Sequence, residues 1–458
     1  MARSNRNALL AKEKKYCSWG DTVHYLEPPK FFERCSGSYL YDDQGVGYLD
    51  LQMWYSAASF GYANERLARV LKAQIDRLPQ LACQYLHREK VELAEILAKS
   101  VERLFGQQGR IHFNVGGAQA VEDSLKLVRS HTKKNLMFAF WGGYHGRTLG
   151  ASAITSSYRY RRRFGHFSDK AHFVPFPYCF RCPYGKKKAD CGMYCLAQFE
   201  KLFETEYNGV WDAKAGEAEY GAFYVEAIQG TGGYVVPPQG YFAGLSRILK
   251  KHKILLVDDE IQMGFYRAGK LWAMANFEAV PDIIVFGKAL TNGLNPISGI
   301  WAKEELINPK VFPPGSTHST FSSNTLGTAV GLEVMKMGQK KDYEKVVVAK
   351  GRAMLERLRA LQRSYPNVIG DVDGMGLALR LEICAGDGYT PDRALADKIF
   401  EEGMKGNLKG PRGKRMGLVL DIGGYYKNVF TIAPSFEITE KEMDLSVDLL
   451  DQILRRVI

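Results

Sequence analysis

Short apolar runs alternate with amphipathic stretches along most of the chain. Residues 111–114, 136–140, 222–227, 254–257 and 283–286 are apolar runs that each close near glycine or a polar residue, as strands buried in a sheet do. Between them, Val121, Leu125 and Val128 recur at helical spacing, and so do the apolar positions of residues 91–104. Residues 48–53 (YLDLQM) read as another strand. This alternation predicts an α/β fold with a largely parallel central sheet, in which ligands sit at the carboxyl ends of the strands. After about residue 330 the pattern changes to longer helical stretches, 328–337, 343–361, 391–402 and 441–457, which predict a second, smaller domain.

Composition narrows the class. The 458 residues hold 62 Lys+Arg against 50 Asp+Glu, a formal charge of +12, with 46% apolar residues. No apolar stretch is long enough to span a bilayer, and the first residues lack the apolar core of a secretory signal, so the expected compartment is the cytoplasm, with no membrane partner. There the eight cysteines read as thiols or metal ligands rather than disulfides. The basic runs at 159–163 (RYRRR), 186–188 and 405–414 come without any nucleic-acid-binding signature, so they read as solvated surface.

Three segments suggest chemistry. In FNVGGAQAVE a strand runs through Gly116 and Gly117 into a helix, leaving bare N–H groups and a helix dipole suited to an anion. In ILLVDDEIQ an apolar strand ends in Asp258, Asp259 and Glu260, able to hold a metal or orient a cationic heterocycle. In PDIIVFGKAL, Lys288 follows an apolar run; burial would lower its pKa, as a carbonyl-bonding lysine needs. An anion cradle, an acid and a buried lysine together suit pyridoxal 5′-phosphate (PLP), whose ring nitrogen pairs with an acid and whose aldehyde bonds a lysine.

With these segments the chain resembles the class III aminotransferases, PLP enzymes of fold type I that include ornithine and 4-aminobutyrate aminotransferases and the ω-amine transaminases. The resemblance covers about residues 37–439 and rests on WGGYHGRTLGA, VEAIQGTGG, LLVDDEIQMGFYRAGK, PDIIVFGKAL and HSTFSSNTLG. It implies a large domain with a mostly parallel sheet and a smaller α/β domain built from both chain ends. The expected division is 1–75 for the small domain and the amine pocket, 76–330 for the PLP-binding domain with a cysteine-bearing insertion at about 175–200, and 331–458 for the remainder of the small domain.

The resemblance also implies residue roles. Lys288 bonds the cofactor and moves the proton, while Asp259 pairs with the ring nitrogen. Tyr144 stacks on the ring, and Gln262 reaches its hydroxyl. Gly116, Gly117 and Ala118 form the phosphate loop, the last two offering N–H groups. Thr320, arriving from a partner subunit, touches the phosphate, which implies a homodimer with shared sites and leaves dimer against tetramer open. Glu226 and His145 line the site.

Departures from the family pattern bear on the substrate. The hydroxyl-bearing phosphate loop is Gly116-Gly117-Ala118 here. The arginine that binds a substrate carboxylate in the ornithine-type branch, and the glutamate that gates it, are Thr431 and Thr231. An arginine left alone in a pocket would be costly, so the paired loss is coherent. LQMWYSAASFGYA resembles the amine-transaminase segment, which would make Trp54 and Tyr55 walls of the amine pocket; core packing is the alternative for Trp54.

Cys179, Cys182, Cys191 and Cys195 form C-x2-C-x8-C-x3-C. Four thiols in so short a span suit an iron–sulfur cluster or zinc, iron–sulfur being the stronger reading, in a structural role away from the chemistry; four reduced thiols in an ordered loop are the alternative. The expected activity is ping-pong transfer of the amino group of a primary amine, diamine or ω-amino compound to a 2-oxo acid such as pyruvate or 2-oxoglutarate. Lys427 and the RYRRR run are candidates for placing the acceptor carboxylate. The rival readings are a racemase, aminomutase or phospho-lyase on the same scaffold and, more remotely, a metal-bearing nucleic-acid-binding protein.

Overall fold

A computed structural model describes residues 3–20, 26, 28–165 and 171–458. Its central sheet has seven strands: β1 (Gly109–Asn114), β2 (Leu136–Phe140), β3 (Ala171–Val174), β4 (Tyr220–Val225), β5 (Leu255–Asp259), β6 (Ile283–Phe286) and β7 (Ser298–Lys303). They lie in the order β1-β7-β6-β5-β4-β2-β3. Strands β3, β2, β4, β5 and β6 are mutually parallel, and β7 runs antiparallel to both β6 and β1. The middle strands are buried along almost their whole length, which is why they read as continuous apolar runs rather than alternating ones. Two strands lie outside the sequence expectation. One is β7, and the other is the short edge strand β3, of which only the last residue is buried.

After β1 the chain turns at Gly116, with extended φ, into helix α1 (Gly117–Thr132). Val121, Leu125 and Val128 of α1 pack against Val257, Ile283 and Val285 of the sheet. This sets the free N–H groups of α1 at the carboxyl edge of the parallel strands.

The chain ends meet in a second body. Strands Phe32–Ser36, Tyr39–Asp42 and Gly47–Asp50 continue through Arg415–Val419 to Leu408–Lys409 in one sheet. A further sheet joins Ile369–Met375, Ala378–Ile383, Val429–Ile432 and Ile422–Gly423. Tyr48, Leu49 and Leu51 share a core with Leu381, Leu418, Ile432 and Leu450, as expected of a small domain drawn from both ends. The helix Glu440–Val457 starts at a reciprocal cap, Thr439 with Glu442, worth about 1 kcal/mol.

The expected strand 48–53 stops at Asp50. Its carboxylate accepts the N–H groups of Gln52 (2.7 Å) and Met53 (2.9 Å) and turns the chain. Met53, Trp54, Tyr55 and Ser56 then follow with φ of 44°, 52°, 55° and 67°, one left-handed turn of four residues that are not glycine.

Arg267 ties the bodies together. Fully buried, it donates to the carbonyls of Leu377 (3.0 Å) and Pro434 (2.7 Å) and to Ser59 Oγ (2.7 Å). Burial lowers its pKa to about 10. Arg267→Leu is expected to leave these acceptors unpaired and to destabilise the protein by about 2–4 kcal/mol. A urea midpoint unchanged from the wild type would show that the contacts are dispensable.

Candidate active site

The carboxyl edge of the parallel strands opens into a cavity of about 330 Å³. Eleven residues line it: Gly117, Ala118, Tyr144, His145, Gly146, Arg147, Glu226, Asp259, Ile261, Gln262 and Lys288. Of the expected cofactor contacts, only Gly116 and Thr320 stand outside that lining.

Asp259 is buried at the end of β5. Its Oδ2 accepts from His145 Nδ1 at 2.8 Å and its Oδ1 from the N–H of Ile261 at 3.1 Å. Burial disfavours a charged His145, but the hydrogen bond it donates to Asp259 and the nearby acids outweigh it and raise the pKa. Glu226, just after β4, accepts the N–H groups of Tyr144 (3.0 Å) and Gly230 (2.9 Å). Burial and the Asp259 charge push it up to about 7.

The three successive acids divide by strand alternation. Asp258 faces away from Asp259 toward Glu260 and is pushed well above the carboxylate range, first by burial and then by that neighbour. Glu260 accepts the N–H of Met274 at 2.8 Å. Both belong to the core, leaving Asp259 as the acid of the cavity.

Lys288 follows Gly287 in a short helical turn (Lys288–Thr291) and itself adopts φ 41°, a strained conformation held by the flanking strand and turn. Burial lowers its pKa, against the opposing pull of Asp259, Glu226 and Asp421. This is the environment expected from the sequence.

At the opposite end, a Cβ on Gly117 would stand 2.8 Å from Ile261 Cδ1, so the bare backbone lets the helix start close over the cavity. Tyr144 meets Tyr160 edge to face at 5.2 Å, and the Arg147 guanidinium lies 4.6 Å from the Tyr160 ring. Gln262 Nε2 donates to Tyr234 Oη at 3.0 Å.

The expected substrate-pocket residues separate. Thr431 and Thr231 do come together: a Cβ on Gly423 would meet Thr431 Cγ2 at 3.0 Å and the Thr231 carbonyl at 3.4 Å. Trp54 instead packs over Gly293 and is 53% exposed; neither it nor Tyr55 belongs to the cavity lining. Thr320 is exposed in the loop before the helix Thr325–Lys340. Sequence reasoning assigned no role to Arg147, Ile261 or Asp421. Arg147 stands in the HGRT motif itself, and Ile261 lies between two residues already singled out. Nothing near Asp421 in the sequence marks it.

The metal expectation requires correction. Cys179, Cys182, Cys191 and Cys195 are free thiols around a cavity of about 430 Å³, shared with Tyr194, Pro238 and Lys188. Among the described residues no three His, Cys, Asp or Glu side chains lie close enough together to hold a metal ion. Cys179 Sγ turns to the Pro177 carbonyl and Cys191 Sγ to that of Lys188, both at 3.8 Å. Burial raises the pKa of Cys179, and that of Cys195 to about 11, favouring thiol over thiolate. Neither an iron–sulfur cluster nor zinc has support here. Among the described residues no helix is long and apolar enough to cross a membrane.

Fold and cavity together define a PLP enzyme of fold type I: a lysine and an acid face one space, with a helix start at its far end. The chain belongs to the class III aminotransferases, whose family model matches residues 22–454. It is 31% identical over 420 residues to a leucine/methionine racemase of Thermococcus litoralis, covering 91% of this chain and 89% of the relative. It is 28% identical to an ornithine aminotransferase of Brevibacillus brevis, covering 98% and 99%. An amine transaminase from an uncultivated Pseudomonas species, solved in its PLP-bound form, shares the fold with a TM-score of 0.85 at 24% identity, covering 97% of this chain and 99% of that one.

Proposed function

We propose that this protein transfers the amino group of a primary amine, diamine or ω-amino compound to a 2-oxo acid, yielding an aldehyde or ketone and an amino acid. The observation that carries this reading is the pairing of Lys288 and Asp259 in one cavity; threonines, which meet near Gly423, stand at both positions that the resemblance gives to the family's arginine–glutamate pair. PLP, when bound, supplies a carbonyl carbon for the donor nitrogen and a ring that accepts the electron pair of the broken C–H bond. Lys288 Nζ, its pKa lowered by burial, takes the proton from the donor carbon and returns it to the cofactor side. Asp259 holds the ring-nitrogen proton, kept in place by His145 Nδ1 and the N–H of Ile261. The N–H groups of Gly117 and Ala118 at the start of α1 hold the phosphate, with the Gly116 turn leading into them. Tyr144 flanks the ring, and Gln262, steadied by Tyr234, reaches its hydroxyl.

The working unit in this reading is a homodimer, with Thr320 of each chain completing the phosphate site of the other. Supporting it are large apolar side chains left exposed: Trp54 over Gly293, and Tyr85, Leu86 and Phe321 in two segments joined by His87 Nε2 and the Ser323 carbonyl. The cofactor-binding body in this reading is drawn mainly from residues 76–330 and the smaller one from both chain ends, except that the helices Glu65–Arg77 and Thr325–Lys340 pack on the larger body, Leu67, Val330 and Val334 sharing a core with Leu93, Phe286 and Trp301.

Racemisation is the second reading, favoured by the identity to the Thermococcus litoralis racemase. The holoenzyme is tested with amines, diamines, ω-amino acids, L-leucine and L-methionine against pyruvate and 2-oxoglutarate. Consumption of the 2-oxo acid with an amine donor is the expected result. Formation of D-amino acid with no 2-oxo acid consumed would replace the proposal with the second reading.

A further inference from the structure

Asp421 lies in the turn between the strands Arg415–Val419 and Ile422–Gly423. Its Oδ2 accepts from Thr431 Oγ1 at 2.6 Å and its Oδ1 from Gln52 Nε2 at 3.2 Å. Its main-chain carbonyl accepts the N–H of Thr431 at 3.0 Å. Both side-chain donors are neutral, and no Lys, Arg or His among the described residues stands within ion-pair distance of it. The cations that act on it, from farther off, are Lys427 and Lys288. Tyr234 and the buried Asp50 also feel its charge. The carboxyl group is therefore hydrogen-bonded to Thr431 and Gln52, lies within electrostatic reach of Lys288 and Asp50, has no close counter-ion among the described residues, and is raised in pKa by its burial.

Its position is chemically pointed. Thr431, which fixes it, occupies the place of the carboxylate-binding arginine in the resemblance drawn from the sequence, and Thr231 the place of that arginine's gate. Where the resemblance would put a cation that selects a carboxylate, this structure holds an acid fixed by Thr431 and Gln52. A partly desolvated carboxylate gains most from a ligand that brings a cation with hydrogen-bond donors. A ligand ending there in a carboxylate meets like charge instead.

We infer that Asp421 determines donor specificity, binding the distal ammonium of a diamine whose other nitrogen reacts at Lys288, and disfavouring donors that present a carboxylate at that end. This rests on the amine-donor reading above and goes further in naming the group that selects the donor.

The test is spectral titration of the PLP-loaded enzyme, without acceptor, using 1,5-diaminopentane, pentylamine and 5-aminopentanoate. The readout is the ratio of half-saturating concentrations. For the wild type, pentylamine is expected to need on the order of 10- to 100-fold more than the diamine, and 5-aminopentanoate more again. Asp421→Asn should bring the diamine-to-monoamine ratio close to one, and Asp421→Glu should restore part of it. If Asp421→Asn does not fold, Thr431→Val, which removes the shorter hydrogen bond to the carboxylate, should narrow the ratio in the same direction. A wild-type ratio near one, or a ratio unchanged in Asp421→Asn, overturns the assignment. Turnover with pyruvate is scored separately. A diamine preference without amination of pyruvate keeps Asp421 and removes the transaminase reading, whereas amination without the preference does the reverse.

Discussion

Replacing Lys288 by alanine should lower kcat by about 10⁵-fold or more and abolish the visible absorption of the bound cofactor, because no second amine in the described cavity can replace it. Three properties meet at this residue. Burial lowers the pKa of the side chain, Gly287 and the following turn fix its direction, and Asp259 lies within electrostatic reach. The measurements are single-turnover kinetics with an amine donor and borohydride reduction followed by peptide mapping. A reducible adduct found on another lysine would move the role elsewhere and dismantle the proposed mechanism.

Asp259→Asn should lower kcat by about 10³-fold while the protein still folds, since the amide keeps the shape of the carboxylate and an oxygen that can accept from His145. What disappears is the negative charge. His145 owes its raised pKa to that charge, so its pKa should fall. Glu226, held at about 7 by burial and then by repulsion from Asp259, should also titrate lower. The sign follows from linkage. Wild-type Glu226 favours the protonated native state, so its contribution to stability diminishes as pH rises from the ordinary glutamate range through about 7. In the variant that decline should be smaller. Unfolding midpoints across that range, measured with and without cofactor, test it; a kcat within tenfold of the wild type would show that the ring nitrogen does not depend on Asp259.

The parallel strands were legible because burial on both faces writes them as unbroken apolar runs; 136–140 and 283–286 match β2 and β6 end to end. Strand β7 escaped because SGIWAK pairs antiparallel both with β6, the strand just before it, and with β1, far away in sequence, a relation that local pattern does not encode. Lys288, Asp259, Tyr144 and Gln262 were legible as motifs that the fold then gathers into one cavity. Asp421 was not, since its importance comes from the contacts with Thr431 and Gln52 that tertiary packing creates. The cysteines misled for the opposite reason. Close spacing in sequence suggested convergence, but the intervening loop spreads the thiols around a space instead of onto a point.

The left-handed turn at Met53–Ser56 gives the amine-side segment an energetic bias. At about 1–2 kcal/mol per residue, four such conformations amount to several kcal/mol that the Asp50 carboxylate and the Trp54–Gly293 contact must offset. Gln52, one of the two side-chain donors to Asp421, sits at the base of this wound segment. Any relaxation of the coil would carry that amide away, so the hold on the Asp421 carboxyl group is tensioned by backbone geometry outside the catalytic cavity.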